Sequence, residues 1–428
     1  MRYAPISSAL FSSRRIGFAK MMKKNSIAIF FSNDEMPRNG DQVFPFRQHA
    51  DLFALSGLDQ PGTSLVLNPG ASDPRMQTLA FILSPDPHHT VWNGKRYSKS
   101  EVKQVSGIDT IYTLDQWDRV MKPLFESSRI IYLDTLFQSN PLHQVVNQNE
   151  RRAFDLQNEW PGKNFISAKT ILQKLVMIKH PVEIDLMKKA IEVTGNAFQE
   201  VLQLVKPGMK EYEVEAELTR IIIGSGCQHA FEPIVASGKS ACTLHYVRND
   251  ARIKPGSLIL LDFGAEYAYM ASDMTRTIPA SGRFTPRQKA IYQAVLHILN
   301  EVTQLMRPGI TLAELNVETG KMMDAALVRL KLLTKHDIRR QDPAHPLRRK
   351  YFMHGISHHL GWNVHDQYEK GAAFKSGMVL TCEPGLYISE EKTGIRLEND
   401  ILITRGQPVN LMQNIPIDPY EIEDIMNR

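Results

Sequence analysis

Ile184, Met187, Ile191, Phe198, Val201 and Val205, with Thr194 in register, recur every three or four positions. That spacing lines one face of an amphipathic helix. Pro181 stands where a first-turn proline belongs and Pro207-Gly208 stops the element. A second helix opens at Thr285-Pro286-Arg287-Gln288, which combines a capping threonine, a first-turn proline and a glutamine that can cap in return. Arg307-Pro308-Gly309 follows that helix as Lys206-Pro207-Gly208 follows the first. Elsewhere, short apolar runs predict strands: 26–31, 64–67, 79–83 and 130–133 early in the chain, then 258–261 and 378–381. Polar and helix-forming segments separate the early runs, and Pro, Asn and Gly mark loops at 37–40 and 68–74. The pattern predicts an α/β domain over 1–175 and a second domain over 176–428, with the boundary just ahead of Lys179-His180-Pro181.

The second domain contains a further echo. Lys254-Pro-Gly-Ser-Leu-Ile-Leu-Leu-Asp262 resembles Lys375-Ser-Gly-Met-Val-Leu-Thr-Cys-Glu383, and in both the carboxylate lies eight residues past the lysine. With the two Pro-Gly turns in matching order, this predicts two related halves, each a helix followed by strands, arranged about a pseudo-twofold axis. Such an axis brings Asp262 and Glu383 towards one centre.

Composition narrows the class without naming a chemistry. The chain has 428 residues, 43% hydrophobic and 23% charged, the balance of a soluble globular protein with two or three domains. The formal charge of +5 is mild. No basic run is interleaved with aromatic residues, so nucleic-acid binding is not indicated. The basic stretch 335–350, with Arg339, Arg340, Arg348, Arg349 and Lys350, reads as a solvated loop. Cys227, Cys242 and Cys382 are too few for a disulfide framework and fit a reducing compartment. No signal-peptide core and no run of about 18 apolar residues is present. The expectation is a cytoplasmic protein that does not bind membranes. No glycine-rich nucleotide-binding pattern appears.

The acidic residues carry the chemistry. Asp262 ends an apolar run and Asp273 follows the break at Gly264. An unpaired interior charge costs on the order of several kcal/mol, so these aspartates need a cation unless they cap turns or pair with Arg276. Three more segments supply candidates: His354-Gly-Ile-Ser-His358-His359 through His365-Asp366, Thr381-Cys-Glu383-Pro-Gly-Leu-Tyr387, and Gly394-Ile-Arg396-Leu-Glu398-Asn399-Asp400. The four charges of Asp262, Asp273, Glu383 and Glu398 would be balanced by two divalent cations. Oxygen donors with one imidazole suit Mn²⁺, and also accommodate Zn²⁺ or Co²⁺. Two such ions about 3.5–4 Å apart activate water for attack on a carbonyl.

These segments resemble the superfamily of aminopeptidase P, prolidase and methionine aminopeptidase, and the resemblance covers 176–428. It implies the pita-bread fold and a metal site in which Asp262 binds one ion, His358 and Glu383 the other, and Asp273 and Glu398 bridge. Glu383 would also move the proton. His354 with His358, the Val364-His365-Asp366 triplet and Glu383-Pro-Gly-Leu-Tyr387 look most like aminopeptidase P. So do Arg47-Gln48, Asp51-Leu-Phe and Ser56-Gly57-Leu58 in the first domain. By resemblance, His365 and His245 contact substrate and His354 supports them. Arg396 orients carboxylates or substrate, and Tyr387 bonds near the leaving group. Asp41 helps fix the peptide's N-terminal end, and Trp92 reaches a neighbouring subunit's site. His359 is read as structural.

The implied activity is an Xaa-Pro aminopeptidase acting on peptides as a homodimer or homotetramer. The rivals are a prolidase, which cuts Xaa-Pro dipeptides, and a non-catalytic relative that keeps the fold for binding. One departure is Asn399, where the family often has a second acidic residue; it is expected to point away from the metals.

Overall fold

The computed structural model describes residues 3–134 and 145–428, and the chain forms two compact units, 3–176 and 177–428. In the first unit, six strands make one mixed sheet among the described residues. They are β1 (Ser26–Phe31), β2 (Ser64–Leu67), β3 (Thr78–Ile82), β4 (Thr110–Thr113), β5 (Ile130–Leu133) and β6 (Asn164–Ser167), in the order β4-β3-β2-β1-β5-β6. β1 pairs antiparallel with β2 and parallel with β5. Every β1 residue is buried, because apolar clusters cover both faces: Phe18, Leu52 and Leu172 lie in one, Met121, Phe125 and Leu156 in the other. A strand covered on both sides reads as an unbroken apolar run, hence the legibility of Ile27 to Phe31. Helices α1 (Ser8–Met21) and α2 (Ala50–Ser56) belong to this unit.

The second unit is built twice over. Helix α3 (Pro181–Leu204) starts at a capping box, with the His180 ring accepting from Val182 N–H, and α4 (Glu211–Gly224) follows it. Strands β7 (Ile234–Ser237), β8 (Leu258–Phe263), β9 (Ala265–Tyr267), β10 (Met270–Ala271) and β11 (Met274–Pro279) complete the first half. The second half has α5 (Pro286–Leu305), α6 (Leu312–Arg329), β12 (Val379–Cys382), β13 (Gly385–Ile388), β14 (Thr393–Arg396) and β15 (Asn399–Leu402). β8 pairs antiparallel with β11, and β12 with β15.

The two sequence echoes meet within each half. Gly208 N–H donates to Ile253 O at 2.8 Å, and Gly309 N–H donates to Phe374 O at 3.0 Å. Ile253 and Phe374 each precede the lysine of the second echo. Each Pro-Gly turn therefore anchors the entry to its half's acidic strand. The glycines of both turns sit at positive φ, 98° and 100°, as do Gly256 at 73° and Gly377 at 93°. Only glycine enters that region without a Cβ penalty.

Two details depart from the sequence reading. Between Asp262 and Asp273, beyond the break at Gly264, the chain adds a hairpin of β9 and β10 that no apolar run announced. Its turn holds Ala268 and Tyr269 at φ 51° and 69°, residues that carry no turn signature. Second, Arg276 does not neutralise the aspartates. It donates to Pro416 O, Thr275 O, Glu398 O and Asn399 Oδ1.

Candidate metal centre

Each half delivers its carboxylates where strand pairing ends. Asp262 sits near the end of β8 opposite Thr275, and Asp273 immediately precedes β11. Glu383 follows β12, and Glu398 immediately precedes β15. The halves are joined at this point: Glu398 N–H donates to Thr275 O at 3.0 Å, and Thr275 Oγ1 donates to Glu398 Oε2 at 2.6 Å.

The histidine arrives on an irregular segment laid along β12. Thr381 N–H donates to His358 O at 2.9 Å, Leu360 N–H to Val379 O at 3.0 Å and Glu383 N–H to Ile356 O at 2.9 Å. These bonds set His358 Nε2 3.3 Å from Asp273 Oδ2 and 4.0 Å from Glu383 Oε1. Asp273, His358 and Glu398 offer ligand atoms that all lie within 4.8 Å of one another. His359 faces elsewhere: it is buried, with its ring stacked on Tyr368 at 4.7 Å. A buried ion pair, Lys179 Nζ to Asp366 Oδ2 at 3.1 Å, fastens the far end of the segment, as does Trp362 Nε1–H donating to Glu183 Oε1 at 3.0 Å.

Arg396 is ion-paired with Asp262 Oδ2, and it also donates to Tyr387 Oη at 2.8 Å and to Thr275 Oγ1 at 3.1 Å. Tyr387 is buried, and its hydroxyl contacts His354 Nε2 at 2.9 Å. Accepting from Arg396, it donates to the imidazole, so the His354 proton sits on Nδ1 and reaches Gly355 O at 2.7 Å. His354 Nδ1 is 3.5 Å from Glu383 Oε2. His365 packs edge-on against His358, ring centres 4.3 Å apart. His245 lies close enough to hold down the charge on both His354 and His365. Asp41 and Trp92 belong to the other unit; Asp41 is exposed and Trp92 is 75% exposed on the short helix Pro87–Asn93.

The electrostatics favour a cation. Burial, then Asp262 and Glu383, hold the Asp273 carboxyl well above the usual range. Burial, then Asp273 and Asp262, do the same to Glu398. Burial and Glu398 push Glu383 up to about 8. Arg396 offsets one carboxylate, and Asp262 Oδ1 is buried without a hydrogen-bond partner. Imidazole plus surplus buried carboxylate is the donor set a borderline divalent ion needs, so the residues fit such a metal.

A prediction follows for the chelated protein. Carboxyls with raised native pKa keep protons that the unfolded chain has released, so stability falls as pH rises towards those pKa values. Burial lowers His354 and His365 to about 4 and His359 to about 3. Those groups cost stability only below the ordinary histidine range, which leaves the window from about pH 7 to 8 to the carboxyls. The unfolding free energy in chelator is expected to drop across that window by about 1.4 kcal/mol per pH unit for each retained proton, read as a falling melting temperature, and saturating Mn²⁺ is expected to flatten the slope. A chelated protein that gains stability across the window would contradict this.

Sequence reasoning did not single out Thr275, Thr381 or Asp400 as site residues. Thr381 Oγ1 accepts from His358 N–H at 3.1 Å, and Asp400 Oδ2 accepts from Asp273 N–H at 3.3 Å. Alternation offered a signal for Thr275, which stands opposite Asp262. None existed for Asp400, whose partner is a backbone group in the other half.

Two related halves meeting at four carboxylates and a histidine define a metal-dependent hydrolase. Comparison with known proteins places it: residues 185–405 match the model of metallopeptidase family M24, and residues 11–132 match the aminopeptidase P N-terminal domain. The chain belongs to metallopeptidase family M24. It is 31% identical to the Xaa-Pro aminopeptidase of Escherichia coli K12, over 98% of each chain. It is 29% identical to human Xaa-Pro aminopeptidase 3, over 94% of this chain and 80% of the relative. Among solved structures it resembles Pseudomonas aeruginosa aminopeptidase PepP, with TM-score 0.89, 31% identity and 99% and 98% coverage. It also resembles a variant of Escherichia coli aminopeptidase P in complex with substrate, with TM-score 0.87, 30% identity and 99% coverage of both chains.

Proposed function

We propose that this chain is an Xaa-Pro aminopeptidase: it releases the N-terminal residue from peptides with proline second. The observation that carries the reading is end-to-end similarity to Xaa-Pro aminopeptidases, through both the M24 region and the aminopeptidase P N-terminal domain. That similarity does not favour the prolidase alternative. The full set of Asp262, Asp273, His358, Glu383 and Glu398, brought to one place, argues against a non-catalytic relative.

In this reading 1–175 is the N-terminal domain and 176–428 the catalytic one. The residues that would hold the divalent ions are Asp262, Asp273, His358, Glu383 and Glu398. Divalent ions held there, Mn²⁺ suiting the donors best, would supply the Lewis acidity for activating water and polarising a carbonyl. Glu383 would take the proton from the attacking water and return it to the proline nitrogen. Arg396 fixes Asp262 and, through Tyr387, the His354 ring. His365 and His245 would donate to the peptide's carbonyl oxygen as charge develops there, or to the proline side of the bond. By the same resemblance Asp41 would help fix the peptide's N-terminal end, and Trp92 would reach the active site of a neighbouring copy in a homo-oligomer. The expected compartment is the cytoplasm; no described helix is long and apolar enough to cross a membrane.

The test is hydrolysis of an Xaa-Pro-Yaa tripeptide beside an Xaa-Pro dipeptide by Mn²⁺-loaded protein. Cleavage of the tripeptide after its first residue is expected. Turnover of the dipeptide alone would make the chain a prolidase.

A further inference from the structure

The first unit buries a second group of metal-type ligands that the peptidase chemistry does not use. His49 immediately precedes α2, Asp51 lies on α2, and Asp134 immediately follows β5. All three are buried, and their ligand atoms lie within 4.8 Å of one another. His49 Nδ1 is 3.3 Å from Asp134 Oδ2, with side chains 10% and 1% exposed.

Hydrogen bonding leaves this group unfinished. His49 Nδ1 and both carboxylate oxygens of Asp134 are buried with no hydrogen-bond partner. The His49 ring does not cap α2, although it stands at the N-cap position. Buried polar atoms are nearly always paired, and three orphans facing one another mark a place for a proton or a cation. Burial dominates at both His49 and Asp134; Asp51 lies close enough to act on both, within carboxyl–carboxylate bonding reach of Asp134, while Arg47 acts through space on His49 and Lys169 on Asp134.

The scaffold is preformed. Gln48 Oε1 accepts from Asn33 N–H at 3.2 Å and from His49 N–H at 2.9 Å, and Gln48 Nε2 donates to Leu58 O at 3.1 Å and Gln60 O at 2.9 Å. These bonds fix the backbone that carries His49 and Asp51. Asp134 is set by β5, which pairs with the central β1.

We propose that His49, Asp51 and Asp134 form a divalent-cation site within the N-terminal unit, built to tie α2 to the sheet. One imidazole and two carboxylates suit Zn²⁺ or Co²⁺. The rival occupant is a proton shared between the carboxylates.

The experiment strips the full chain with chelator, reloads it with Co²⁺ and counts bound metal in wild type, Asp134→Asn and His49→Gln. Tripeptide cleavage verifies folding, since neither residue belongs to the peptidase centre. Each folded variant is expected to hold about one equivalent less than wild type and to lose part of the metal-dependent gain in melting temperature. Equal metal content in wild type and folded variants would overturn the site in favour of the shared proton. If one variant fails to fold, the other decides. If neither folds, a wild-type count no higher than about two overturns it, two being the complement of the acidic centre under the function proposed above.

Discussion

Glu383→Gln is expected to lower kcat on an Xaa-Pro-Yaa tripeptide by about 10²- to 10⁴-fold at saturating Mn²⁺, the range that a positioned general acid–base group contributes. The side chain keeps its size, and the attraction it loses to His358 and Arg396 is outweighed by burial and the repulsion of Glu398. His354 Nδ1 lies 3.5 Å from one carboxylate oxygen and His358 Nε2 lies 4.0 Å from the other, both beyond hydrogen-bond length. The change removes one negative charge from a cluster in which Glu398 already opposes ionisation of Glu383. The chelated variant is therefore expected to melt no lower than chelated wild type near pH 8, while turnover collapses. This pairing of outcomes separates lost chemistry from lost structure. A variant within about tenfold of wild-type kcat would remove Glu383 from the proton-moving role. A variant that melts far lower would mean that its carboxylate holds the fold together.

Strands read correctly where the environment was uniform. β1 is buried on both faces, so its apolar run needed no partner to be recognised. The capping boxes at Thr285 and His180 begin helices whose first turns are determined by residues within a few positions. The pseudo-twofold halves were legible for a similar reason. A Pro-Gly turn and a Lys-x-Gly entry are local signals, and two copies in matching order are hard to miss. The β9–β10 hairpin escaped because Ala268 and Tyr269 hold positive φ under tertiary constraint rather than by their own preference.

The candidate site divides along the same line. Residue types and spacing pointed to Asp262, Asp273, Glu383 and Glu398, and the resemblance singled out His358 and assigned each a role. What holds them is long-range: Thr275 bonds Glu398 across 123 residues, and Arg396 reaches Asp262 across 134. Arg276 was offered as a partner for the aspartates because it lies close in sequence. Its strand instead presents it, fully buried, to the carbonyls of Pro416 and Glu398. The His49–Asp51–Asp134 group drew no attention as a site, since Asp134 meets the other two only when β5 is laid beside β1.

Gly264→Ala is expected to cost about 3 kcal/mol or more of stability and to abolish tripeptide cleavage in whatever folded protein remains. Gly264 joins β8 to β9, between the two acidic positions of the first half. A Cβ placed there falls 1.8 Å from Ser272 O and 2.7 Å from Ser272 C, both backbone atoms. Backbone cannot swing aside as a side-chain tip can. Ser272 is also held by its own bonds: its N–H donates to Ala265 O at 3.0 Å, and its hydroxyl contacts Thr194 Oγ1 at 2.7 Å. Relief must come from pushing the 272–273 backbone outward, which carries Asp273 away from His358 and Glu398. Fold and site are thus damaged by one methyl group, unlike Glu383→Gln, which spares the fold. Gly162→Ala serves as the control, with open space around the added carbon and an expected change within about 0.5 kcal/mol. Denaturant unfolding of both variants beside wild type measures the difference. A Gly264→Ala protein with unchanged midpoint and activity would show that β8 and the approach to β11 can separate without moving Asp273, and that the close backbone contact at Gly264 is not what positions that carboxylate.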